Sequence, residues 1–504
     1  MLLSELVAVS AEVAATRARK AKVAALARLL SDVPPGEVAL VVTYLAGSLR
    51  QRRTGVGWRS VTALPEPATE PTLTVIEVDA AFAELAGLSG PGSQGQRTAR
   101  LAELLGRASA DEQRWLRGAI TGEVRQGALD ALVQEAVAAA AGVPVPAVRR
   151  AAMLAGGTPP AAEAAFAGGE PALVEIGLTV GRPVLPMLAS SAPDVAGALA
   201  KAGGAVAVDR KLDGIRVQVH RDSDEVVVAT RSLDDITHRL PEVVAVARAL
   251  PAERFVLDGE ALALDDHGRP LAFQDTASRT AQEAGVAITP YFFDLLHLDG
   301  RDLLDEPLSA RLAALDALVP EAHRVPRVVT ADAGVAQAFL TDTLAAGHEG
   351  VVVKSLAAAY DAGRRGAGWV KVKPVHTLDL VVLAVEWGSG RRRGWLSNIH
   401  LGALDPASGG FVMLGKTFKG MTDEMLAWQT QRFTELAIEP ATMRDGYVVP
   451  LRPEQVVEIA FDGVQRSTRY PGGVALRFAR VVRYREDKRP EEADTIATVR
   501  GYAR

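Results

Sequence analysis

The hydrophobic pattern of this 504-residue chain changes once along its length, and this change limits the possible folds more than any single motif. Up to about residue 150, apolar residues recur three and four positions apart, as at Leu26, Leu29 and Leu30, which predicts amphipathic helices. After about residue 180 they form short β-rich runs between turns, which predicts strands. At roughly 150 residues per domain, we expect about three domains.

The strand-rich part divides again near residue 375. Its first half alternates short strands at 206–208, 217–219, 226–229, 255–257 and 351–353 with helices at 241–250 and 310–318. Its second half has strands at 380–386, 399–404, 411–414, 456–461 and 476–484 around one helix at 421–436, which favours a small barrel such as an OB fold. We therefore predict a multidomain α+β protein with an all-α domain (1–172), a mixed α/β domain (173–375) and a β-barrel OB-fold domain (376–504). The Gly-, Pro- and Ala-rich stretch 156–169 is predicted to be the end of the helical domain and its linker.

Composition excludes several classes of protein. The chain has no cysteine, which rules out disulfide scaffolds, Cys-type zinc ribbons, Fe–S clusters and a cysteine nucleophile. No apolar run approaches the roughly 18 residues of a membrane helix. The N-terminal basic cluster follows the first apolar stretch, the reverse of a secretory signal, so we expect a cytoplasmic protein. The net charge of −5 argues weakly against nucleic-acid binding, but a large protein can contain a basic groove.

The strongest local signal is the sequence Lys211-Leu212-Asp213-Gly214 between two predicted strands. A lysine becomes a nucleophile when burial or neighbouring cations lower its pKa. Gly214 would let the backbone approach a ligand closely, and Arg216 could hold a phosphate or ribose. Taken alone, the same residues could also form a plain turn with charges facing solvent.

Further charged and aromatic positions follow in order, each near a predicted strand end. Phe293 alone could be a core residue, and Lys371 and Lys373 alone could be the solvent face of a strand. It is the ordered set that indicates a function. The positions are Arg231, Glu260, Phe293, Glu349, Lys354, Lys371, Lys373 and the stretch 477–488, which contains Arg483, Arg485 and Lys488.

This ordered set resembles the nucleotidyltransferase motifs of ATP-dependent DNA ligases, from the lysine motif to the C-terminal R-x-D-K motif. The resemblance covers the whole chain. The N-terminal helices, including 121–127 with Arg125, look like the DNA-binding domain of the larger ligases, and 181–189 looks like the start of the catalytic core. Size and domain plan look most like the actinobacterial enzymes.

The resemblance implies a role for each residue. Lys211 would attack the α-phosphate of ATP and form lysyl-AMP; AMP would then pass to the 5′-phosphate of a nick, where the 3′-hydroxyl displaces it. Phe293 would stack on adenine. Glu260 and Glu349 would bind Mg²⁺, with Mn²⁺ as an alternative, and Glu260 would also contact the ribose. Asp209 stands where the family mostly has glutamate, so its adenine contact would be backbone-mediated or relaxed. The remaining nucleotide contacts would be Arg216, Arg231, Arg365, Lys371, Lys373, Arg483, Arg485 and Lys488.

Other classes remain as alternatives. Residues 410–417 match the phosphate-loop pattern of P-loop ATPases, although this stretch reads as a strand. An mRNA-capping guanylyltransferase or an RNA ligase shares the lysine motif, and a non-catalytic DNA clamp would not need the full set of Lys, Arg and Glu positions. We expect a monomer whose partner is nicked double-stranded DNA, without membrane contact. Lys416, Lys419 and the arginines at 391–393 are further candidates for DNA contact.

Overall fold

The computed structural model of the protein describes residues 1–51, 53–124, 126–127, 130–281, 286–361, 365–389, 392–439 and 448–503. It has the predicted multidomain α+β architecture, with helices first, an α/β region in the middle and a sheet region at the end. None of the helices in these ranges is long and apolar enough to cross a membrane. We refer to the three parts as the helical, central and C-terminal domains.

The helical domain buries one apolar core between its helices. Two of the helices begin with reciprocal caps. The Thr74 hydroxyl accepts a hydrogen bond from the Glu77 amide at 3.2 Å, and the Thr74 amide donates to the Glu77 carboxylate at 2.9 Å; Ser109 and Glu112 repeat the arrangement. The helices are α1 (Leu3–Ala15), α2 (Arg19–Ser31), α3 (Val38–Leu45), α4 (Val75–Gly87), α5 (Ser93–Gly106), α6 (Ala110–Thr121), α7 (Asp130–Ala141), α8 (Val145–Leu154) and α9 (Thr158–Val174).

The stretch 156–169 belongs to the end of the helical domain, but the linker predicted there lies further along the chain. Most of this stretch belongs to α9, whose residues Ala161, Ala162 and Ala165 are buried in the helical core. Alanine is the strongest helix former, so a run of small residues beside glycine and proline still forms a packed helix. The helix breaks only at Gly169, and the extended connection to the central domain follows Val174.

The central domain contains two sheets of five described strands each, with orders β1-β10-β9-β2-β8 and β4-β3-β5-β6-β7. The strands are β1 (Leu188–Ser191), β2 (Val206–Lys211), β3 (Ile215–Asp222), β4 (Glu225–Thr230), β5 (Arg254–Ala263), β6 (Ile288–Leu298), β7 (Arg301–Asp302), β8 (Arg327–Thr330), β9 (Gly350–Ser355) and β10 (Arg365–Val372). The helices are α10 (Val195–Ala202), α11 (Pro241–Ala249), α12 (Phe273–Ala281), α13 (Leu308–Leu318) and α14 (Ala333–Ala345). The chain passes from one sheet to the other directly after Lys211, so the K-x-D-G turn lies where the two sheets meet.

The C-terminal domain is a sheet of order β13-β12-β11-β15-β18, with β14 paired to β11 and a separate hairpin of β16 and β17. Its strands are β11 (His376–Trp387), β12 (Leu396–Asp405), β13 (Gly410–Thr417), β14 (Val448–Pro450), β15 (Val456–Phe461), β16 (Gly463–Arg466), β17 (Val474–Arg477) and β18 (Arg480–Arg485), with helices α15 (Asp423–Leu436) and α16 (Ile496–Gly501). The stretch 410–417 is β13 throughout, so it forms no phosphate loop.

The single strand predicted at 476–484 is instead two strands. Phe478 adopts a left-handed backbone conformation with φ of 56° and separates β17 from β18. A bulky residue rarely takes this conformation, so no sequence pattern predicts the break. The break leaves the Phe478 ring 57% exposed.

Candidate active site

Lys211 is the last residue of β2, opposite Gly350 at the start of β9. Its ammonium group hydrogen-bonds the carboxylate of Glu349, and 22% of the side chain is exposed. The turn after it requires glycine at position 214, because a Cβ there would overlap the carbonyl oxygen of Ala261. Lys211 therefore lies at a strand end that is accessible from solvent, as a nucleophile requires.

Glu349 joins two lysines. One oxygen accepts a hydrogen bond from Lys211, and the other accepts one from Lys373 Nζ at 2.5 Å. Burial raises the pKa of this carboxyl, but the two ammonium groups lower it further, and the pKa falls to about 2. Glu349 is therefore ionised throughout the neutral range.

Glu260, on β5, is the second carboxyl group near Lys211. Its Oε1 accepts a hydrogen bond from the Gly214 amide at 3.1 Å. Burial raises its pKa to about 7, although Lys211 and Arg216 act in the opposite direction. The two carboxyl groups near the lysine thus differ in protonation, one permanently ionised and one that titrates near neutral pH.

The two glutamates fit a magnesium ion. Mg²⁺ usually binds one or two protein carboxylates and completes its shell with substrate phosphates and water. Within the described ranges there is no cluster of three or more His, Cys, Asp or Glu side chains, as an all-protein metal cage would need. The donor set of Glu260 and Glu349 therefore matches a metal that arrives with a phosphate ligand.

An aromatic pair lies beside the lysine end of the sheet. The rings of Phe293 and Trp369 meet edge to face, with centroids 5.7 Å apart. Lys354 Nζ lies 4.3 Å from both centroids and 2.5 Å from Asp209 Oδ2. Asp209 is 2% exposed, and its Oδ1 has no hydrogen-bond partner among the described residues. A buried acceptor without a partner is costly, so this oxygen is suited to a donor on a ligand.

Arg216 supports this aromatic pair from within the protein. Its guanidinium binds Asp258 through two nitrogens, at 3.0 and 2.6 Å, and donates to the Met187 carbonyl at 2.7 Å. It also lies 5.6 Å from the ring centroids of Phe293 and Trp369. Asp258 and the Met187 carbonyl therefore engage all three nitrogens of Arg216 and hold its guanidinium beside the two rings.

The other predicted nucleotide contacts lie in different settings. Arg231 is exposed in the turn after β4 and forms no hydrogen bond or ion pair with any residue that the structure describes. Lys371 is half-buried on β10, opposite Val352 on β9. The side chain of Arg365 lies outside the described part of the chain, as do Arg125 and Arg391.

The predicted cations of the C-terminal domain bind carboxylates of their own domain. Arg483 Nε lies 2.7 Å from Glu458, Arg485 Nη1 lies 3.0 Å from Asp379, and Lys488 Nζ lies 2.6 Å from the same aspartate. Across the described ranges, none of these cations forms an ion pair or hydrogen bond with the central domain. Lys416 likewise pairs with Glu386, at 2.7 Å.

A different face of the C-terminal domain meets the central domain. We call this contact the charged seam, and its ion pairs are Arg477–Asp213 at 2.5 Å, Asp462–Lys373 at 2.8 Å and Arg466–Asp275 at 2.8 Å. A cavity of about 90 Å³ opens along the seam, with Glu349 and Asp462 in its wall. The seam therefore reaches the residues around Lys211.

The geometry defines a class of protein. The site has a lysine at a strand end, with one ionised and one titrating carboxyl group beside it. It also has a second lysine that can bind phosphate and an aromatic pair next to a buried hydrogen-bond acceptor. This is the arrangement of a covalent nucleotidyltransferase. The comparisons with known proteins narrow this class. Family models for the ATP dependent DNA ligase domain, the ATP dependent DNA ligase C terminal region and the DNA ligase N terminus match residues 186–373, 392–488 and 59–138.

Relatives match along the whole chain. The chain is 69% identical to a probable DNA ligase of Nocardioides sp. over 508 residues, covering 100% of this chain and 99% of the relative. It is 67% identical to a probable DNA ligase of Kineococcus radiotolerans over 507 residues, with 100% of both chains covered. The solved structure Pmar-Lig_Pre shares the fold, with a TM-score of 0.64 at 18% identity over 95% of this chain and 99% of that one.

The chain belongs to the ATP-dependent DNA ligase family. Members of this family join nicks in duplex DNA through a lysyl-AMP intermediate, with ATP as co-substrate and Mg²⁺ as metal, in DNA repair and replication. The predicted family, fold class, activity and cofactors are thereby confirmed.

Sequence reasoning missed two residues that contribute to the site, Tyr360 and Asp462, and gave a third no role. Lys354 was noted in the same run as Glu349, but without a role. Tyr360, whose hydroxyl donates to Asp258 at 2.7 Å, and Asp462 had no recognisable signal in the sequence. Both reach the site through tertiary contacts across more than 80 residues of chain.

Proposed function

We propose that Lys211 carries AMP and that ATP binds at the strand ends of the central domain, between the 1–172 and 376–504 domains. The observation that supports this best is the position of Lys211, bonded to Glu349 and close to Glu260, beside the Phe293–Trp369 pair. Each group needed to bind a nucleotide and activate its phosphate is present around one accessible amine.

In the first step, Lys211 Nζ releases a proton to solvent and attacks the α-phosphorus of ATP with the freed electron pair. The new N–P bond forms as the P–O bond to pyrophosphate breaks. Lys371, Lys373 and Arg231 stabilise the charge that develops on the phosphate oxygens. Glu260 and Glu349 would hold Mg²⁺, which supplies positive charge to the phosphate.

The base is recognised by Asp209 and Phe293. The unpartnered Oδ1 of Asp209 accepts a hydrogen bond from the exocyclic amine of adenine, whereas guanine presents an oxygen at the same position. Phe293 stacks on the base and Lys354 holds Asp209 in place. A buried acceptor left without a donor discriminates strongly, which favours ATP over GTP.

The nick binds across the charged seam. Two exposed rings, Phe273 at 37% and Phe478 at 57% exposure, lie close to Arg477, whose guanidinium is 5.2 and 5.9 Å from their centroids. Apolar rings next to a cation are the usual wedge in a minor groove. AMP then passes from Lys211 to the 5′-phosphate, and the 3′-hydroxyl attacks that phosphorus, which releases AMP and seals the strand.

Arg483, Arg485 and Lys488 act in the first step, after the C-terminal domain has turned to bring them over the β- and γ-phosphates. The protein works as a monomer in the cytoplasm, on nicked double-stranded DNA. Its affinity for DNA should fall steeply with salt and depend little on sequence, because the backbone phosphates dominate the contact.

The test is incubation with α-³²P-labelled ATP, GTP or NAD⁺, followed by a denaturing gel. We expect a labelled protein band with ATP alone, which is lost in Lys211→Ala and is chased off by nicked DNA. Label retained in Lys211→Ala would refute the nucleophile. Label from GTP would refute the base recognition, and label from NAD⁺ would refute the co-substrate.

A further inference from the structure

Asp462 brings a carboxylate of the C-terminal domain to a lysine of the active site. It follows the last residue of β15 and lies 2.8 Å from Lys373 Nζ. The same ammonium group is 2.5 Å from Glu349, which also binds Lys211. A continuous chain of charges therefore runs from the nucleophile, through Glu349 and Lys373, to the other side of the charged seam.

Both members of the cross-domain pair have a second partner in their own domain. Asp462 accepts from Arg480 Nη1 at 3.2 Å on the C-terminal side, and Lys373 keeps Glu349 on the central side. Their side chains are partly buried, at 16% and 18% exposure. Separating the domains therefore leaves neither charge without a counter-ion, so this pair can be broken at little cost.

The position of Asp462 conflicts with the proposed role of Lys373. An ammonium that binds the α-phosphate must turn donors toward phosphate oxygens, but in this arrangement Glu349 and Asp462 take two of its three donors. A phosphate placed against Lys373 would also face the Asp462 carboxylate, and like charges at such distances repel. The docked C-terminal domain and the nucleotide phosphate thus compete for one cation.

We propose that Asp462 is a positioning residue that occupies Lys373 in place of the phosphate when no nucleotide is bound, and that ATP displaces it. Arrival of the triphosphate releases the C-terminal domain from the charged seam, which frees it to turn its other face toward the nucleotide. Loss of the phosphate restores the pair and the docked arrangement. This inference rests on the proposed contact between Lys373 and the α-phosphate.

The test compares Asp462→Asn with Asp275→Asn in the full chain. Both variants remove one carboxylate from an ion pair of the charged seam, but Asp275 binds Arg466 and does not contact Lys373. The measurement is the rate of enzyme–AMP formation against ATP concentration in single-turnover reactions without DNA. We expect the ATP concentration for half-maximal rate to fall about threefold to tenfold in Asp462→Asn and to stay unchanged in Asp275→Asn.

Two results would overturn the proposal. An unchanged or higher half-maximal ATP concentration in Asp462→Asn would show that the carboxylate does not compete with the nucleotide. An equal fall in Asp275→Asn would assign the effect to general loosening of the seam. Thermal melting of both variants confirms that they are folded. Lys373→Met tests the phosphate contact separately from the displacement of Asp462. If this variant retains wild-type ATP dependence, the proposed contact between Lys373 and the phosphate is wrong.

Discussion

The two interdomain contacts of this protein are built from different interactions. The helical domain meets the central domain through buried apolar side chains, with Met153 and Leu154 of α8 in one cluster with Leu296 and Trp369. The C-terminal domain meets the central domain largely through the ion pairs of the charged seam. An apolar contact is costly to open in water, whereas charged groups are readily solvated.

This difference shows which domain can move during the reaction. The C-terminal domain carries two sets of charges, one in the seam and one on β18 and the residues after it, where Arg485 and Lys488 share Asp379. Both sets are proposed to act on the nucleotide or the nick, but the two cannot face Lys211 together. A contact made of exchangeable ion pairs allows the domain to turn, while the apolar contact keeps the helical domain in place.

The largest expected effect tests whether the β18 face of the C-terminal domain, which carries Arg485 and Lys488, acts in enzyme–AMP formation. Arg485→Ala should slow enzyme–AMP formation about 100-fold, the scale of losing one donor to a developing charge, and should affect sealing of pre-adenylated nicked DNA far less. Arg489→Ala is the matched control, because Arg489 is 80% exposed on the same segment and pairs with Glu492. Equal losses in both steps would mean that Arg485 does not act on the leaving pyrophosphate.

A change in the charged seam should slow the sealing of nicked DNA more than it slows enzyme–AMP formation. Arg477→Ala removes the bond to Asp213 and the cation between the Phe273 and Phe478 rings. We expect sealing of pre-adenylated nicks to fall about tenfold, while enzyme–AMP formation without DNA stays near the wild-type rate. Arg466→Ala provides a milder comparison, since that side chain is 69% exposed. A larger loss in enzyme–AMP formation than in sealing would contradict the assignment of this face to the DNA-bound step.

The three regions of the protein and several residues of the site could be predicted from the sequence. Hydrophobic periodicity located the three regions, because helices and strands repeat with different periods. The residues around Lys211, Glu260 and Glu349 were predicted because a covalent nucleotidyltransferase needs them in a fixed order. For Arg483, Arg485 and Lys488 the motif indicated chemistry, but it did not indicate that carboxylates of their own domain would neutralise them.

The parts that sequence could not predict depend on tertiary contacts. Arg216 was expected to hold the nucleotide, yet Asp258, 42 residues away, engages its guanidinium. The stretch 156–169 looked like a linker because glycine and proline often mark loops, but packing against the helical core keeps most of it helical. The ion pairs of the seam join residues as far apart as Asp213 and Arg477, and no local pattern specifies such a pair.

The two carboxyl groups at the site differ in pKa, and this difference predicts how stability depends on pH. Glu349 belongs to the charge network of the seam and has a pKa of about 2, whereas the buried Glu260 has a pKa of about 7. A carboxyl whose pKa is raised on folding stabilises the protein while it is protonated, and this stability is lost as pH rises through the folded-state value. Without magnesium, the free energy of unfolding should therefore fall by about 1 kcal/mol between pH 6 and pH 8 from Glu260 alone.

Denaturant unfolding at several pH values measures the contribution of Glu260 to the free energy of unfolding. The Glu260→Gln variant cannot ionise at position 260 and should show a flatter dependence between pH 6 and 8. Glu242→Gln is the control, because Glu242 is a carboxyl group of the same domain that binds Arg279 rather than the residues around Lys211. The same slope in wild type and Glu260→Gln would show that Glu260 is already ionised at pH 6, and the contrast between the two carboxyl groups would disappear.

The smallest expected effect concerns the apolar contact. Arg150 of α8 binds Asp305 through two nitrogens at 2.8 and 2.6 Å, but the two side chains are 49% and 72% exposed. Exposed pairs of this kind contribute at most about 0.5 kcal/mol, so Arg150→Ala should barely change the free energy of unfolding or its dependence on salt. Leu154→Ala, which removes buried atoms from the same contact, should destabilise the protein far more. If Arg150→Ala instead allowed salt to separate the helical domain from the central domain, as judged by limited proteolysis after Val174, both contacts would be electrostatic and the helical domain would also be free to move.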